Sequence, residues 1–115
     1  MDDRELLELA AKAAGIKHPG GEHCINGPAV WDCEALRWWR PLTDDGDALR
    51  LAVKLNIHHS LIWDGQEDEW SNVLAFRLPQ VRALEEFCAH RDDQDEYQAT
   101  RRAIVRVAAE IGRAM

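Results

Sequence analysis

The sequence predicts an α+β fold: helices packed on a small antiparallel sheet, an α/β/α-type sandwich with element order α-β-β-α-β-β-(β)-α. Three observations carry this. Apolar residues recur at helical spacing near both ends of the chain and in its middle. The stretches between are rich in β-branched and aromatic residues and are broken by turn signals. The 115 residues, 46% apolar and 30% charged, suffice to bury one core without disulfide or metal staples, so residues 1–115 form a single domain.

In "DDRELLELAAKAAG" the residues Leu6, Leu7, Ala10, Ala11 and Ala14 share one helical face, Asp2 or Asp3 can cap the start and Gly15 the end. Pro19, Gly20, Gly21, Gly27 and Pro28 crowd residues 16–30, which suits short extended pieces and a small hairpin. "WDCEALRWW" reads as a helical turn or the end of a strand, and Pro41 forces any helix there to stop before Arg40. Thr43, Asp44 and Asp45 can each cap a second helix, and Asp44, Asp45 and Asp47 all favour the positive end of its dipole, so this acid cluster is explained without a ligand. Ala48, Leu49, Leu51, Ala52, Val53 and Leu55 cover more than half of that helix, which predicts the most buried helix of the set.

"NIHHSLIWDG" and "EWSNVLAFRLP" read as an antiparallel pair turning at Asp64-Gly65, with an acidic connection. "QVRALEEFCAH" fits a helix or a third strand equally. The last segment has acids at its start, Arg106 and Arg113 later, and Ala103, Ile104, Val107, Ala108 and Ile111 on one face, which predicts a long terminal helix.

The formal charge of -7 opposes binding to a phosphate backbone, which rests on basic residues displacing counterions. No apolar run reaches the roughly 18 residues of a membrane helix. The opening residues lack the basic start and apolar stretch of a secretory signal, which predicts a cytoplasmic protein. Three cysteines, an odd number without tight spacing, suit reduced thiols.

Candidate metal ligands are His23, Cys24, Cys33, His58, His59, Cys88 and His90, but the two close pairs of a structural zinc site are missing, and His58 and His59 point to opposite faces of a strand. Cys88 with His90 lacks any elbow signature, so a small buried thiol is the default reading. Glu85-Glu86 and Glu67-Asp68-Glu69 read as solvated acids, and no phosphate loop, dinucleotide fingerprint or H-E-x-x-H occurs. Neither a metal nor a cofactor is expected, and binding is favoured over catalysis. The five tryptophans stand out, because aromatics with polar tips dominate interaction hot spots. Trp38, Trp39, Arg40 and Trp70 are the candidate interaction residues.

The blocks "DDRELLELAAKAAGI", "WRPLTDDGDALRLAVKL" and "ATRRAIVRVAAEIGRAM" together resemble the phage ABA sandwich domain family, small proteins of bacteriophages and prophages, in the same order and over nearly half the chain. The resemblance implies a helix, sheet, helix sandwich, favours a strand near residues 84–90, and brings no catalytic residues with it. Joined to small size, acidity and the tryptophans, it leads to a phage or prophage accessory protein that binds a host or phage protein in the host cytoplasm and counters a host defence. The alternative is a small-ligand-binding protein or enzyme with a pocket between sheet and helices, tryptophan walls and His58, His59 or Cys88 as polar groups. A homodimer whose tryptophans bury one another is a third arrangement.

Overall fold

The first helix, α1 (Asp3–Ala14), forms where the apolar stripe ends in good caps. The Asp2 side chain accepts from the Glu5 N–H at 2.9 Å, and Gly15, at φ 71°, closes the helix by donating to the Ala11 and Lys12 carbonyls. The computed structural model describes residues 2–17, 25–63, 70–77, 87–90 and 96–115, of which 60–63, 70–74, 76–77, 87–90 and 96 are described by backbone alone. After α1 come β1 (Ile25–Asn26), β2 (Ala29–Asp32) and β3 (Arg37–Trp39), then α2 (Asp45–Leu55), β4 (Ile57–Trp63), β5 (Trp70–Arg77), β6 (Phe87–His90) and α3 (Glu96–Ala114). The α+β class stands, and so does the antiparallel pair β4–β5, paired from Ile57↔Arg77 to Trp63↔Trp70 with a bulge at Ile62/Trp63.

Two segments left open by the pattern resolve into strands. "WDCEALRWW" is a hairpin: β2 and β3 pair antiparallel around the turn 33–36, and β1 adds a third, two-residue strand across Gly27-Pro28. Gly27 sits at φ 61°, a left-handed geometry that glycine adopts without strain. Phe87–His90 pairs with β5 through Ala75↔Phe87 to Asn72↔His90, giving the second sheet the order β4-β5-β6. The Asp64-Gly65 turn, the acids Glu67 to Glu69 and the pair Glu85-Glu86 lie outside the described residues.

The layers stack as sheet β4–β6, then α3, then α1, with α2 on the flank against α3 and β4. α1 and α3 run in the same direction, since Asp3 pairs with Arg102 at 2.9 Å and Lys12 reaches the Met115 carbonyl at 3.3 Å. α3 is therefore the most buried helix, with Ala99, Ala103, Ile104, Val105, Val107, Ala108 and Ala109 all in the core. This corrects the expectation for α2. Ala48, Leu51, Ala52 and Leu55 are buried, but Leu49 and Val53 are 60% and 73% exposed, because a flanking helix is covered along one side only. Among the described residues no helix is long and apolar enough to cross a membrane.

The crossing of α1 and α3 depends on Gly112. A Cβ placed there would lie 2.0 Å from the Leu9 carbonyl oxygen and 2.8 Å from its carbon, backbone atoms that cannot turn aside. In an exposed helix, Gly to Ala gains about 1 kcal/mol. Here Gly112→Ala should instead lower the unfolding free energy by about 3 kcal/mol, read by urea denaturation.

Candidate functional site

The β2–β3 hairpin is built around Asp32. Its Oδ1 accepts from the Glu34 and Ala35 N–H groups at 3.0 and 3.2 Å, and its carbonyl accepts from the Leu36 N–H at 2.9 Å. These bonds fix a four-residue turn whose last residue, Leu36, stands at φ 56° with 72% of its surface exposed. A leucine in this left-handed region is strained by its Cβ. The Cys33 N–H donates to the Lys17 carbonyl at 2.7 Å and ties the turn to the chain leaving α1.

Strand alternation then sorts the side chains. Val30 faces Trp39 across the strands and both are buried, Trp39 at 6%. Trp31 faces Trp38 on the opposite side, ring centroids 5.4 Å apart and planes at 69°, an edge-to-face pair that is only partly buried. Such a pair is worth about 1 kcal/mol beyond its buried area.

The hairpin is clamped to α2 by Asp47, whose side chain has no exposed surface. Arg37 meets it with both ends of its fork, Nη1 lying 3.0 Å from Oδ1 and Nη2 donating to Oδ2 at 3.2 Å. Arg50 Nη2 donates to Oδ1 at 2.6 Å, and the Arg40 backbone N–H to Oδ2 at 2.9 Å. Burial by itself pushes the Asp47 carboxyl up, but the hydrogen bonds from Arg50, the Arg40 amide and Arg37, together with the charge of Arg37, outweigh it and hold the group below the usual carboxylate range.

The three acids at the start of α2 thus have three jobs. Asp44 caps the helix, accepting from the Asp47 N–H at 2.8 Å. Asp45 pairs with Arg101 of α3, whose Nε also donates to the Leu42 carbonyl at 2.9 Å. Asp47 holds the hairpin. The helix-start reading accounts for Asp44 and misses the other two, since Arg37 reaches Asp47 only in this hairpin register.

Of the predicted interaction residues, Trp38 lies on the outward side of the hairpin and Arg40 follows β3 as an exposed residue. The structure adds Trp31, which alternation across the turn could have signalled. Trp39 is corrected to a core residue, because neighbours in a strand point to opposite faces. Trp70 belongs to β5 in the other sheet, and its side chain lies outside the described part, as do those of Cys88 and His90. His23 and Cys24 lie outside the described residues altogether. Among the described residues no three His, Cys, Asp or Glu side chains gather where a metal could be held.

A second feature is a groove of about 530 Å³ between α2, α3 and β4. Among the described residues it is lined by the apolar Ala48, Leu49, Tyr97 and Ile104 and by the polar Asp45, His59, Thr100 and Arg101.

The clamp makes a pH-dependent contribution. Asp47→Asn should lower stability by about 2 kcal/mol at neutral pH, the low end for a buried pair because the side chains of Arg37 and Arg50 are 45% and 61% exposed. With a folded pKa below the unfolded one, the ionised Asp47 stabilises fully above the unfolded value near 3.9, and this is lost as pH falls through the folded value. The gap between wild type and Asp47→Asn in urea titrations should therefore be constant from neutral to mildly acidic pH and close below about pH 4.

No family model, no curated protein and no solved structure matches the chain.

Proposed function

We propose that this chain is a small accessory protein of a bacteriophage or prophage that binds a protein partner in the host cytoplasm and so counters a host defence, with the outward face of the β2–β3 hairpin as its recognition surface. The observation that carries the binding mode is the Trp31–Trp38 pair, presented on the side of the hairpin opposite Val30 and Trp39, in a hairpin whose turn and exit carry the exposed Leu36 and Arg40. Trp and Arg are the residue types that concentrate binding energy at interface centres. The origin rests on the resemblance of the three helical blocks to phage ABA sandwich proteins.

Rigidity supports the same reading. The hairpin is fixed by the Asp47 clamp and the Asp32 turn before any partner arrives, so little ordering entropy is lost on binding. The net charge of -7 favours approach to a basic partner surface.

The test is affinity capture from bacterial lysate with wild type and with a Trp31→Ser/Trp38→Ser variant whose melting curve confirms its fold. A protein enriched by wild type should lose affinity for the variant by about 30-fold, the scale of a hot spot. Equal recovery by both baits sinks the hairpin as the surface. Leu36→Gly separates stability from function: relief of the left-handed strain should raise the unfolding free energy by about 1 kcal/mol while capture weakens.

A further inference from the structure

We propose that the cavity between the β2–β3 hairpin, the end of α1 and one face of α2 binds a small monocarboxylate whose body is a single ring or a branched chain of that size. The cavity holds about 220 Å³. Its apolar wall includes Ile16 after α1, Trp39 of the hairpin and Leu51 of α2, and its cationic wall is Arg37, Arg50 and Lys54. Arg50 and Leu51 stand four and three residues before Lys54, so all share one face of α2. A cavity of about 150 Å³ in another protein accepts benzene, so a ring fits here with its carboxylate at the cations.

The charge of the lining selects an anion. Three cations share it with two carboxylates, Asp32 and Asp47, which leaves one positive charge over in a chain whose net charge is -7. Both carboxylates are already engaged: Asp47 by the two arginines and the Arg40 amide, Asp32 by two amides of its own turn. Asp44, 3.8 Å from Arg50, does not line the cavity. The surplus sits at Lys54, which has no ion pair or hydrogen bond among the described residues and whose Nζ stands 3.8 Å from where a Cβ on Gly15 would lie. Asp47 does not exhaust the arginines either. Arg50 binds it through Nη2 and Arg37 through its two Nη atoms, so the Arg50 Nη1 and both Nε atoms remain to donate. A guanidinium and an ammonium one helical turn apart can hold a carboxylate by charge-assisted hydrogen bonds. The apolar wall decides the rest of the ligand, because an inorganic ion leaves Ile16, Trp39 and Leu51 against water whereas a ring covers them. The Trp31–Trp38 face takes no part, so this site and the proposed function stand or fall separately.

The test is an NMR titration of the intact chain with sodium benzoate at fixed ionic strength, following the backbone amides of Arg37, Trp39, Arg50 and Lys54. Benzoate should give saturable shifts at these residues with a dissociation constant of about 1 mM or below. Benzamide, the neutral isostere, and acetate, which carries the charge without the ring, should each bind at least about tenfold more weakly. Lys54→Met keeps the apolar stem of an exposed residue and should weaken benzoate by about tenfold without moving the melting curve. No saturable shift up to about 20 mM benzoate overturns the proposal. So does benzamide binding as well as benzoate, which makes the cavity merely apolar, and so does acetate binding as well, which makes it a surface ion site. These outcomes are read on the wild-type chain and stand whether or not Lys54→Met folds. Benzoate affinity unchanged in a folded Lys54→Met chain places the ligand elsewhere and overturns the proposal too.

Discussion

A carboxylate without access to water must be ringed by donors, and that requirement at Asp47 fixes how the hairpin meets α2. Arg37, Arg40 and Arg50 satisfy it from both sides, the first two from the hairpin and its exit, the last from the helix itself. Every participant falls within residues 37–50, so the unit closes over short loops that carry little entropy. The hairpin is consequently held by polar contacts near the helix start and by Val30 and Trp39 in the core, two attachments that prevent it from swinging about either.

The rest of the core follows from α3 lying between α1 and the sheet. A helix in that position must be covered on two sides at close range. Small residues answer the need: Ala99, Ala103, Ala108 and Ala109 bury completely, and Gly112 lets the backbone of α1 approach at Leu9. The single-stripe pattern of Ala103, Ile104, Val107, Ala108 and Ile111 describes one face of α3. Val105 and Ala109, off that stripe, are buried because α3 has a second partner.

The helices and the β4–β5 pair were legible because their signals are local: an apolar spacing, a capping aspartate at Asp2 or Asp44, a glycine at Gly15. The β2–β3 hairpin was not, since its turn ends on Leu36 in a conformation where glycine or asparagine is the usual signal. Without the turn there was no register, and without the register Trp38 could not be separated from Trp39, nor Asp47 connected to Arg37. Leu49 and Val53 misled for a different reason. An apolar letter on a helix records that the residue avoids water, and it does not say whether the shelter lies in the same chain.

Among the described residues two features run against stability, and they do so at separate places. Leu36 holds a backbone conformation that glycine would adopt more easily, and Leu49 and Val53 expose apolar surface that polar residues would occupy at no loss to the core. In α1 and at the start of α2 local preference and fold agree, from the caps of α1 to the division of labour among Asp44, Asp45 and Asp47. Both departures lie at the surface, where a contact beyond the fold would offset them. They fall on opposite ends of the Asp47 clamp, on the hairpin and on the outer face of α2, so a partner at one surface leaves the other open. The clamp that ties the hairpin to α2 therefore also sets the geometry between the two surfaces.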